Sequence, residues 1–171
     1  MTKEKIITFL ESRDFKRFVF VLGILFLILT AFISVNPEPF LRFGYVGVFI
    51  FALFGPASLL IPVLSQHMNI WVLAVVTAAG MAINDSVSWV IGSLGHTVIP
   101  HSPKIERIEA NLRKHGMPAL FFWALIPFPY DLIGFIAGYL GFTYKSFIIP
   151  TFLGRLVRFM LLGFGVITLL K

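Results

Sequence analysis

The sequence predicts an all-α membrane protein with about three full transmembrane helices, two oppositely oriented re-entrant helical hairpins forming an inverted repeat, and interfacial amphipathic helices. Three observations carry this reading. Of 171 residues, 58% are hydrophobic and 13% charged, against roughly 45–50% and about 25% in soluble domains. Two of the apolar stretches are interrupted by proline, at Gly55-Pro56 and Pro62 and again at Pro127 and Pro129. Most charges border apolar stretches rather than alternating with them. One membrane domain, residues 1–171, accounts for the whole length, since each crossing consumes about 20 residues plus a loop. With 14 Lys+Arg against 8 Asp+Glu the net charge is +6, and its position beside apolar segments points to anionic lipid headgroups rather than nucleic acid. Cysteine is absent, which excludes disulfides, thiolate metal sites and cysteine nucleophiles.

Met1–Arg17 mixes Ile6, Ile7, Phe9 and Leu10 with Lys3, Lys5, Arg13, Lys16 and Arg17, the pattern of a helix lying at the interface. Its basic character places the N-terminus in the cytoplasm, in the cell membrane on the simplest reading. Residues 18–35 carry no charge and are too long and aromatic for a signal-peptide core, so they read as a retained crossing ending at Asn36-Pro37.

From Phe43 to Asn84 no Asp, Glu, Lys or Arg occurs, yet the Gly55-Pro56 and Pro62 breaks rule out one continuous helix. Two crossings, or a re-entrant pair over 44–64 followed by one crossing, both fit. The second is preferred, because each half of 44–64 reaches only about 15 Å. A crossing is expected at 70–94, holding Asn84-Asp85. Residues 102–116 form a basic amphipathic helix on the cytoplasmic face: Ser102 is a suitable N-cap, Pro103 suits the first position and Gly116 closes it. Residues 119–142 repeat the broken-hairpin pattern with Pro127 and Pro129, and 146–170 make the last crossing. Offset by 72 residues, Ala52–Pro62 overlies Ala124–Gly134 without a gap, with alanine, leucine, leucine and isoleucine coinciding and both breaks together. With one crossing between them the second hairpin enters from the opposite side, as in transporters built from inverted repeats.

Ionisable groups within membrane segments are functional candidates by default, and four are present: Asp85, Asp131, Arg155 and Arg158. Asp131 follows the Pro127/Pro129 break and is the first candidate for proton or cation coupling, with Asp85 the second. A hydrogen-bonded carboxylate that pins the hairpin is the structural alternative. Arg155 and Arg158, spaced i, i+3 with Thr151 one turn earlier, share a helix face suited to a phosphate headgroup. Neutralisation of Asp85 and Asp131 is their alternative role. Gly80, Asn84, Ser88 and Gly92 recur every four residues, a small-residue stripe for close helix packing. His67, His96, His101 and His115 lie at expected interfaces without ligand spacing. No metal site, nucleophile elbow or phosphate loop is found, so neither an enzyme nor a cofactor is expected.

Gly80, Asp85, Trp89, Gly92 and Gly95, then a basic helix ending at Gly116, Phe121-Phe122, Pro127, Ala137-Gly138, Phe147, Gly154 and Arg155 together resemble the DedA family, also called the VTT or SNARE-associated Golgi protein family. The similarity runs from roughly Tyr45 to Gly165. Where the family pattern has arginines three residues either side of the second-hairpin proline, this chain has Ala124 and Tyr130, and the first hairpin lacks the family's acidic residue. The resemblance implies a lipid flippase or scramblase acting on a polyprenyl phosphate or phospholipid, with proton coupling. A proton- or Na+-coupled small-solute transporter and a non-transporting membrane scaffold are the alternatives. A homo-oligomer is compatible with each.

Overall fold

The computed structural model describes residues 13–54, 57–94 and 103–169, and every regular element among them is helical. In chain order these are α1 (Arg13–Val35), α2 (Glu38–Leu41), α3 (Gly44–Phe54), a 3-10 turn (Ala57–Leu59), α4 (Ile61–Leu64), α5 (Ile70–Ser93), α6 (Pro103–His115), α7 (Met117–Leu125), α8 (Tyr130–Tyr139) and α9 (Tyr144–Leu169). Residues 1–12 of the expected interfacial helix, the Gly55-Pro56 break, Ser102, His96 and His101 lie outside the described residues.

Local chemistry explains most boundaries. Asn69 caps α5, its Oδ1 accepting from the backbone N–H of Trp71 and Val72 at 3.0 and 3.3 Å. Pro103 opens α6, and Gly116 ends it with φ of +60°, donating its N–H to the Leu112 carbonyl at 2.8 Å. Pro127 forces Ile126 into an extended conformation, with ψ of 144°, which stops α7 at Leu125.

Three expectations are corrected. No separate helix ends at Arg17: α1 is continuous from Arg13, because neither glycine nor proline separates Arg13 from Phe18. Pro62 breaks nothing; it sits in the first turn of α4, where a missing N–H has no intrahelical partner to lose. The second arm of the first hairpin is therefore a 3-10 turn and a single helical turn, not a half matching α3. The final helix also begins earlier than expected and carries Pro150 within it.

Among the described residues two helices are long and apolar enough to cross a membrane, Ile70–Ser93 and Tyr144–Thr168. They pack on each other, and the shorter helices are arranged around them by an exchange rule. Helix α3 packs on α5 of its own half and α4 on α9 of the other; α7 packs on α9 of its own half and α8 on α5 of the other. A glycine contact of the same form occurs in both halves. A Cβ on Gly80 would come within 2.7 Å of the Ala52 Cβ and 2.9 Å of the Phe49 carbonyl. One on Gly154 would meet the Ala124 Cβ at 2.7 Å and the Phe121 carbonyl closer still. Phe49 and Phe121 are separated by the same 72 positions as Ala52 and Ala124, while Gly80 and Gly154 lie 74 apart, so the short helices keep the sequence offset and the long helices meet them two residues out of step.

Two apolar cores result. Val48, Phe51, Ala52, Leu60, Ile61, Leu64, Leu73 and Phe159 fill the first, between α3, α4, α5 and α9. In the second, Ile105, Ile108 and Leu112 of α6 dock on Leu120, Ile133, Ile136 and Phe147. Outside these cores large apolar side chains point outward, among them Val46, Trp71, Val87, Phe122 and Leu161, an arrangement that suits lipid and not water. Helix α1 stands apart, with only Thr30 and Ile33 buried among its described side chains.

Candidate functional site

The Pro127/Pro129 break and the 3-10 turn of the first half flank a cleft of about 450 Å³ beside α5 and α9. Helix α5 contributes Met81, Asn84 and Asp85; α9 contributes Arg155 and Arg158. The second break supplies Pro127 to Pro129 and the first turn of α8, with Tyr130 and Asp131, and the 3-10 turn adds Ser58. Pro127 and Pro129 thus belong to the site as wall and as helix breakers. Pro62 does not line it.

Arg155 and Asp85 form the floor, each 4% exposed. Arg155 Nε donates to Asp85 Oδ2 at 2.5 Å and Nη2 to Oδ1 at 2.7 Å, the parallel two-bond geometry that a planar guanidinium offers a carboxylate. Its remaining Nη1 is directed at Met81 Sδ, 3.8 Å away. The guanidinium carbon lies 5.2 Å from the centre of the Tyr130 ring, within cation–π range. The ring is held in turn by its hydroxyl, 2.8 Å from Thr151 Oγ1 and donating to the Leu120 carbonyl at 3.2 Å. Every polar face of Arg155 is therefore occupied, and the pairing alternative describes its present state.

Arg158 differs. It is half-buried and touches only the Ile126 carbonyl, at 3.4 Å, and no carboxylate pairs with it among the described residues. Asp131 is exposed at the cleft edge and accepts from Ser88 Oγ at 2.9 Å, which ties α8 to α5. The cleft thus holds a neutral buried pair and, above it, one guanidinium and one carboxylate not joined to each other. Chemically, such an arrangement can pair an anion with the guanidinium and a cation or proton with the carboxylate.

The small-residue stripe is divided among three tasks. Gly80 admits α3, and Gly92 admits α8 against the Phe135 backbone, while Asn84 lines the cleft and Ser88 holds Asp131. A spacing of four drifts by about 40° per step on a helix of 3.6 residues per turn, so the ends of the stripe face different neighbours. His67 and His115 are exposed and outside the cleft. Among the described residues no three His, Asp or Glu side chains converge as metal ligands do. Tyr130, which the sequence marks only as standing where the resembled family has an arginine, lines the cleft and packs against Arg155. An aromatic residue beside a proline break carries no signal of its own, and the 72-residue alignment of Tyr130 with Ser58 adds only that the halves differ there.

The VTT domain family model matches residues 55–167, a stretch that contains α5, all but the last two residues of α9, and every residue lining the cleft. No curated protein and no solved structure matches the chain. A match over most of the chain, on a helical architecture with two helices long and apolar enough to cross a membrane among the described residues, makes this a membrane protein that belongs to the VTT-domain family, the family of the DedA and SNARE-associated Golgi proteins.

Proposed function

We propose that the protein moves a phosphate-bearing lipid, such as a phospholipid or polyprenyl phosphate, between leaflets through the Arg158 cleft, as a flippase or scramblase. In this reading α1, α5 and α9 cross the bilayer, the breaks after α3 and α7 are re-entrant from opposite faces, and the basic N-terminal segment lies on the cytoplasmic side of the cell membrane. The exchange of helix contacts between halves supports the inverted arrangement.

The observation that carries the reading is Arg158, half-buried beside the Pro127/Pro129 break and without a carboxylate partner among the described residues. A guanidinium is suited to bind phosphate oxygens by paired N–H bonds, while acyl chains remain outside among the exposed apolar side chains. Arg155 contributes a second positive charge beneath it, offset by Asp85. The formal charges of Asp85, Asp131, Arg155 and Arg158 cancel, so a bound phosphate makes the cleft net negative unless a proton or Na+ joins Asp131. That balance supports coupling through Asp131, and it also supports the second reading, a cation-coupled carrier of a small anionic solute.

Purified protein reconstituted in vesicles, with fluorescent phosphatidylglycerol or a labelled polyprenyl phosphate followed between leaflets, tests the proposal. Wild type is expected to exceed empty vesicles, and Arg158→Ala to lose at least about tenfold, the worth of one charge-assisted bond of roughly 1.4 kcal/mol or more. Wild-type rates equal to empty vesicles, with uptake of a radiolabelled solute instead, would select the second reading.

A further inference from the structure

A second concavity, of about 380 Å³, lies between α6 and α7. We propose that this groove binds one phospholipid of the adjoining leaflet, its phosphate at the Asn111/His115 end and an acyl chain along α7, and that it delivers lipid to the Arg158 cleft. The inference rests on the membrane placement and lipid-moving reading given above.

The groove is polar at one end and apolar along its length. Asn111 and His115, one turn apart on α6, make the polar end, and Pro118, Phe122 and Ile126 continue it along α7. Phe122 and Ile126, again one turn apart, are 62% and 50% exposed, an outward apolar track and not a closed core. Helix α7 has nine residues, about 13 Å at 1.5 Å each, close to the hydrocarbon depth of one leaflet, which is about half of 30 Å. A lipid seated with its headgroup at His115 therefore brings its tail to the level of the break.

Charge favours a phosphate at the polar end. The last turn of α6 is Arg113, Lys114 and His115. Arg113 is held by Glu109 at 2.9 Å, whereas Lys114 and His115 have no carboxylate partner among the described residues. A helix C-terminus also holds such cations favourably, keeping them at the groove mouth. At the far end, groove and cleft share a wall. The Trp123 ring, which lines the groove, packs on Phe128, which lines the cleft, with centroids 5.3 Å apart. Ile126 contributes to the groove, and its carbonyl is the one that receives Arg158. One aromatic pair and one residue thus separate the two sites.

The test uses the full chain in phosphatidylcholine vesicles doped with phosphatidylglycerol carrying a photoreactive group near the end of one acyl chain. Cross-linked peptides are then quantified by mass spectrometry. Label on residues 118–126 is expected to exceed that on the equally exposed Leu161–Leu162 surface of α9. The double variant Lys114→Glu, His115→Glu is expected to lower it about fivefold or more, while Lys114→Arg preserves it. Arg158→Ala is expected to leave the label unchanged, because that guanidinium lies beyond the Trp123–Phe128 wall. Equal labelling of α7 and α9, meaning annular lipid only, overturns the inference, as does loss of label in Arg158→Ala. A labelled groove in a protein that moves no lipid refutes the transport reading alone; transport with uniform labelling refutes the groove alone.

Discussion

Asp85 and Arg155, 70 residues apart in the chain, hold each other through two hydrogen bonds of 2.5 and 2.7 Å with both side chains about 5% exposed. Together they join α5, two-thirds along its length, to the middle of α9. Removal of one partner strands a buried charge, which costs about 3–5 kcal/mol, whereas replacing both by apolar side chains of similar volume is far milder. Asp85→Ala and Arg155→Ala are each expected to lower the detergent unfolding midpoint strongly, and Asp85→Leu with Arg155→Met to recover most of the loss. Additive losses in the double variant would show that the pair is not coupled.

Close backbone approach between α5 and α8 depends on Gly92 and Gly138, since a Cβ on either would collide with the Phe135 or Trp89 carbonyl of the facing helix. Gly138→Val is expected to destabilise by about 1–3 kcal/mol through overpacking. Gly165→Ala, on α9 with nothing within 4 Å of the added methyl, is expected to be neutral or stabilising, because alanine favours helix. Thermal scans of the two variants side by side check the contrast.

Tyr130→Phe keeps the ring over Arg155 but loses the hydroxyl bonds to Thr151 and Leu120. A loss of about 1 kcal/mol is expected, with translocation retained. Tyr130→Ala also removes the cation–π contact, worth about 0.5–2 kcal/mol, and is expected to be the more damaging by the same unfolding assay.

Asp131→Asn leaves the cleft with one net positive charge. Anionic lipid movement in vesicles is then expected to rise at neutral pH by about fivefold, the worth of one charge at ~4 Å in a water-like medium. Ser88→Ala, which removes only the hydroxyl at 2.9 Å, leaves the charge in place and is expected to keep the wild-type rate. A slower Asn variant would instead assign Asp131 an obligatory charge.

Residues whose effect is local are legible in the sequence. Pro103 and Gly116 mark α6, Pro127 ends α7, and the polar patch before Ile70 starts α5, because each acts through its own φ angle, missing N–H or side-chain cap. The outward-facing apolar side chains and the family resemblance follow equally from residue type and order. Pro62 and Pro150 show the limit of the same rule. Both lie within helices, and whether a proline ends a helix depends on its place in the first turn or on neighbouring packing that compensates the lost bond.

What the tertiary structure decided is which charges meet. Arg155 and Arg158 are equivalent candidates by spacing, yet only Arg155 reaches Asp85, and Arg158 is left in the cleft with a carbonyl. That choice depends on the rotation and axial register of α9 against α5, set where Gly80 and Gly154 let flanking helices touch and where Gly92 admits α8. Sequence determined the helices, their breaks and the four charges within the membrane segments. Packing alone paired one arginine and left the other unpaired, because a contact across 70 residues is fixed by how two surfaces fit and not by any local pattern along either helix.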